Sequence, residues 1–74
     1  MTNTELYKNE LFQDADFFQI NARECYEMAE ALEAENKVLA DGWRENARDY
    51  ENRFNQMLDF LMNLGWDKEY MGIA

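Results

Sequence analysis

The stretch ECYEMAEALEAEN, Glu24 to Asn36, sets Glu24, Glu27, Glu30 and Glu33 at every third position, adds Glu35, and contains no Lys or Arg. Carboxylates in such number suit either a hard cation or a basic macromolecular surface. A Ca²⁺ or Mg²⁺ site needs oxygens that converge on one point. On a helix a spacing of three advances about 300° per step, so the row winds over the solvent face and its oxygens spread apart. Recognition of a basic surface asks less. Successive carboxylates lie about 4.5 Å apart along the axis, comparable in density to strand phosphates at about 3.4 Å. Asp41, Glu45, Asp49 and Glu51 follow with the same sign. The candidate acidic partner surface is therefore Glu24, Glu27, Glu30, Glu33, Glu35, Asp41, Glu45 and Asp49. The plainer alternative is a solvated helix face, since Glu is a good helix former and outward faces are commonly charged. On that alternative Arg44, Arg48 and Arg53 would lie beside Glu33, Glu30 and Glu24 across a hairpin, each pair contributing about 0–1 kcal/mol.

Other reactive groups are scarce. There is no His, which removes the hydrolytic triads and the commonest metal ligand. Glu-x-x-Glu stands where paired-helix di-metal centres carry Glu-x-x-His. Cys25 is the sole cysteine and has no cation beside it in sequence, so it reads as a small buried hydrophobe and not as a reactive thiol. No Gly-rich phosphate loop appears. The expectation is a protein without catalytic residues, metal or cofactor.

Sixteen Asp and Glu against seven Lys and Arg give the 74-residue chain a net charge of −9 and a pI near 4.2. That charge repels nucleic acid and anionic membranes and favours basic partners. With 47% hydrophobic and 15% aromatic residues, the chain is too apolar for an acidic disordered tail. It shows no apolar run near eighteen residues and no basic-then-apolar leader, so a cytoplasmic protein is expected.

The elements that hold these residues follow from periodicity. Leu11, Ala15, Phe18, Ala22, Cys25, Ala29 and Leu32 alternate steps of four and three, as do Trp43, Ala47, Tyr50, Phe54, Met57, Leu61 and Leu64. Both are helical seams. Thr2 and Glu5 offer a capping box that starts the first helix near residue 3. The phase breaks at Ala40 to Trp43, where Asp41 suits a cap and Gly42 a turn. The expected fold is all-α, an antiparallel two-helix hairpin: helix 3–39, turn 40–42, helix 43–64, then a tail 65–74 after Gly65. In that register Leu32 pairs with Ala47, Ala29 with Tyr50, Cys25 with Phe54, Ala22 with Met57 and Phe18 with Leu61.

A two-helix hairpin of this size buries too little to stand alone. Phe12, Phe17, Ile20, Phe60 and Met62 lie off the seams at the open end, where Trp66, Tyr70, Met71 and Ile73 of the tail also emerge. The candidate hydrophobic interface is Phe12, Phe17, Ile20, Phe60, Met62 and Trp66. Either a break near Asp14 that folds the preceding residues back as a short N-terminal helix, or homo-oligomerisation through this end, or both, is expected to complete the core.

In composition the chain resembles the small acidic helical accessory proteins of phages and mobile elements that occupy nucleic-acid-binding surfaces of host proteins. The resemblance implies a non-enzymatic inhibitor, a mimic of nucleic-acid charge that engages a basic protein surface without binding nucleic acid or membrane. Two alternatives compete with it. One is an assembly module that docks through its hydrophobic end, and the other an oligomer that sequesters a small ligand with Arg23, Arg44, Arg48 or Arg53 and a tyrosine such as Tyr7 or Tyr26.

Overall fold

Neither Gly nor Pro occurs between Asn3 and Leu32, and the first helix has no reason to stop there. In the computed structural model, which describes residues 2–72, α1 runs unbroken over Asn3–Leu32. Thr2 caps it as expected, its hydroxyl accepting from the Glu5 N–H at 3.2 Å. The break near Asp14 does not form, and neither does the N-terminal helix it would have released. Asp14 is exposed within α1, where continuing the helix keeps its backbone hydrogen bonds and costs its carboxylate no hydration.

The turn is also earlier than the sequence suggests. It spans Glu33 to Asn36, and α2 covers Lys37–Leu64. Asn36 is extended (φ −152°, ψ 93°) and its side-chain oxygen accepts from the Leu39 N–H at 3.1 Å. Asn is among the strongest N-caps, and here it outcompetes Asp41. Asp41 and Gly42 sit inside α2. Asp41 accepts instead from Arg44 one turn on, at 2.9 Å. Gly42 has ordinary helical backbone, while Gly65, with φ 75°, ends α2 in the left-handed conformation that favours glycine.

Moving the turn slides the two seams past each other by one heptad, the smallest step that keeps their four-three spacings in layers. One cleft gathers Asn21 and Cys25 with Trp43, Asn46 and Tyr50, and another gathers Asp16 and Gln19 with Phe54 and Leu58. The Phe17 ring meets Tyr50 at 6.2 Å between centroids. These contacts set Leu11 level with Leu61, Ala15 with Met57, Phe18 with Phe54, Ala22 with Tyr50, Cys25 with Ala47, Ala29 with Trp43 and Leu32 with Ala40. They replace the expected pairings, in which Cys25 faced Phe54 and Ala29 faced Tyr50. Ala15, Ala22 and Ala29 still face the larger Met57, Tyr50 and Trp43, whereas Phe18 now meets Phe54 and Cys25 meets Ala47, and the small side chains let the helices approach closely. Ala15, Ala40, Ala47 and Leu61 have no exposed surface, and among the described residues Leu61 is the only large side chain so enclosed. Leu64, expected on the seam, is exposed at the last residue of α2.

Past Gly65 the chain folds back. A short helix, α3 (Asp67–Met71), lies across the open end, so the third element is C-terminal and not N-terminal. Tyr70 packs near Phe12 and Phe54, with ring centroids 5.3 and 6.4 Å away. Its hydroxyl donates to Asp16 Oδ1 at 2.8 Å. Trp66 meets Tyr7 edge-on at 6.3 Å, and Lys8 spans Trp66 and Glu69, its Nζ 5.8 Å from the indole centre and 2.7 Å from the carboxylate. The result is a rod of 50 × 20 × 19 Å. Ile73 lies outside the described residues. Among them no helix is long and apolar enough to cross a membrane.

Candidate protein-binding surface

Two antiparallel helices have two broad sides and two narrow edges, and side-chain contacts assign residues to them. On one side Tyr26 donates to Glu51, Arg44 pairs with Glu33, and α3 covers Phe12, Asp16 and Leu58. On the other side Phe17, Asn21, Tyr50 and Arg53 lie together, and no described residue lies over them. Helical spacing extends both sets. Lys8, Arg23, Lys37, Arg44 and Arg48 share the α3 side, whereas Glu10, Asp14 and Glu24 share the bare side with Arg53.

All eight candidate acids are exposed. From Glu24 through Glu27 and Glu30 to Glu33 the row crosses the back of α1, starting at the bare side and finishing at the α3 side. Asp41, Glu45 and Asp49 cross the back of α2 in the reverse sense, and Glu35 lies in the turn. The carboxylates therefore line the two narrow edges and the tip of the hairpin. They do not form one flat patch. Of the three arginine pairings expected, only Arg44 with Glu33 forms, and Arg44 also holds Asp41 at 2.9 Å. Among the described residues Arg48 and Arg53 make no ion pair, nor do Glu24, Glu27, Glu30, Glu35, Glu45 and Asp49. The slide of one heptad moves Arg53 along the bare side, away from Glu24 and level with Gln19.

Electrostatic shifts concentrate where hydrogen bonds are made. The Glu33 carboxylate, ahead of Asp41, raises the Arg44 guanidinium further above its already high value. Glu51 accepts from the Tyr26 hydroxyl and raises that phenol above its usual value. Burial first, then the Asp16 carboxylate, push Tyr70 well above the ordinary phenol range.

The six apolar candidates separate. Phe12 and Trp66 are half-buried by α3 and serve the chain's own core. Met62, one turn beyond Leu58, is exposed on the α3 side. Phe17 and Phe60 are exposed on the bare side, with Ile20 at its margin. Sequence reasoning did not assign the docking set Lys8, Asp16, Glu69 and Tyr70. Its members are distant in sequence, and the one local signal was the glycine that reverses the chain.

Cys25 is buried. Among the described residues no three acidic or cysteine side chains converge as a metal ion requires. The cleft of about 300 Å³ beside Cys25 is open and mixes Arg53 with Asp49, a poor enclosure for a small ligand. Compared with known families, characterised proteins and solved structures, the chain matches none.

Proposed function

We propose that this protein is a non-enzymatic binding module whose acidic edges and tip enter a basic cleft of a partner protein, of the kind that otherwise holds DNA or RNA. The observation that carries the reading is the set Glu24, Glu27, Glu30, Glu35, Glu45 and Asp49, exposed and without ion pairs among the described residues. A row used only for solubility has no need to remain unneutralised beside Arg23 and Arg48. Acid on both edges suits a cleft with two walls better than a flat surface. Association would be steered by charge and would block the cleft once made. In this reading the chain is also a homo-oligomer, because the bare side leaves apolar side chains in water. Capture of partners from the native host at low and at high salt tests the function. A specific basic protein retained at low salt and lost steeply as salt rises supports it, and salt-insensitive retention through apolar contacts overturns it.

A further inference from the structure

We propose that the side left bare by α3 is the interface between two copies of this chain, paired antiparallel about a two-fold axis that crosses the rod near the level of Ala15. The inference rests on the oligomeric reading above and deepens it by naming the face, the axis and the contacts.

Surface area comes first. The 8.9 kDa chain exposes 5528 Å², whereas a compact monomer of that mass exposes roughly 4,800 Å². The excess of about 700 Å² is close to the roughly 800 Å² that each partner of a standard interface contributes. Part of it lies elsewhere, at Val38 and Leu39 beside the turn and at Met62 on the α3 side, which are 81%, 52% and 58% exposed. On the bare side Phe17, Phe60 and Leu64 are 54%, 43% and 40% exposed. They lie along the half of the rod that runs from its middle to the open end.

The contacts within this face are self-complementary. In the seam register Phe60 is level with Phe12, and Arg53 with Gln19. Phe17 and Phe60 are therefore offset by about 7 Å along the rod, and Glu10 and Arg53 by about 13 Å. Both pairs nevertheless share one midpoint, between Asp14 and Ala15. A single two-fold axis there, perpendicular to the rod, sets each Phe17 level with the partner's Phe60 and each Arg53 level with the partner's Glu10, diagonally across the interface. Met57, level with Ala15, sits at the axis. Isologous interfaces demand this kind of reciprocity. Among the described residues Arg53 is the one cation on the bare side, and neither it nor Glu10 makes an ion pair there. Facing copies would otherwise set acid against acid, a repulsion that this pairing offsets.

The test is sedimentation equilibrium of the full chain from low to high micromolar concentration. The expected mass is twice 8.9 kDa. Phe60→Glu and Phe17→Glu should each yield monomers with unchanged helical circular dichroism, because both side chains are exposed in the hairpin. Met62→Glu, on the α3 side, should leave the dimer intact. Arg53→Glu or Glu10→Arg should each weaken pairing about tenfold, and the double exchange should restore it. A monomeric wild type would overturn both this interface and the oligomeric reading, leaving the bare side to a basic amphipathic helix of another protein. A dimer indifferent to Phe60→Glu would spare the oligomeric reading and overturn this interface. Charge exchanges whose effects add instead of cancelling would overturn the antiparallel pairing.

Discussion

Tyr70 and Ala29 show how single side chains hold this fold. Tyr70 ties α3 to α1 through Asp16 at 2.8 Å, and its phenol is raised by burial and by that carboxylate. A group that holds its proton more tightly folded than unfolded stabilises the fold fully below its unfolded pKa of about 10 and loses that contribution as pH rises further. Docking of α3 should therefore weaken progressively as pH rises beyond about 10 toward the raised folded value, read as a change in Trp66 fluorescence while helical content persists. Tyr70→Phe should cost about 1–2 kcal/mol and abolish the alkaline fluorescence change. Tyr26, raised in the same direction by Glu51, lies away from Trp66 and should not reproduce it. Ala29 has 1% of its surface exposed and is level with Trp43. Ala29→Leu should overpack the seam and cost about 1–3 kcal/mol, whereas Glu27→Ala should stay within about 0.5 kcal/mol. Equal urea midpoints for the two variants would contradict the packing described.

At the scale of elements, two substitutions distinguish the turn at Glu33–Asn36 from one at Ala40–Gly42. Asn36→Ala removes the α2 cap and should cost about 1 kcal/mol. Gly42 lies in the helix with nothing within 4 Å of an added methyl group, so Gly42→Ala should stabilise by up to about 1 kcal/mol. If thermal melts reverse those signs, the turn belongs at Gly42. Both seams, the Thr2 cap and the Gly65 stop were legible, because each rests on local periodicity or on a conformation that one residue type favours. The turn was misplaced because Asp-Gly is a strong local signal, yet a glycine on a solvent-facing helical position costs too little to break α2. The better signal was the seam itself: its first half ends at Leu32, its second resumes at Ala40, and Asn36 falls between them. Helix α3 had no such signal. Five residues carry no period, and their position is fixed by Tyr70 reaching Phe12, Asp16 and Phe54 from the far end of the chain. The acidic residues of the candidate surface were legible as a set. Their division between two edges was not, since it depends on where the hairpin turns.

For the molecule as a whole, the net charge of −9 is carried on a rod 50 Å long, and what decides its role is whether that charge meets a partner. Glu27, Glu30 and Glu35 are the informative positions: exposed, free of ion pairs among the described residues, and off the bare side where two copies are proposed to meet. Replacing all three with Lys should preserve helix content, because Lys is nearly as good a helix former as Glu, and should preserve the dimer. The same replacement sets like charge against a basic cleft and should cost several kcal/mol of partner affinity. The Gln counterparts, which remove the attraction without adding repulsion, should lose less. Raising salt should shrink the difference between wild type and both variants, since exposed charges are screened over about 8–10 Å near physiological ionic strength. Affinities measured by titration calorimetry against the captured partner at low salt decide the matter. If the Lys variant binds as tightly as wild type there, the row is a solvated helix face, and the contacts that matter are the apolar ones of the bare side.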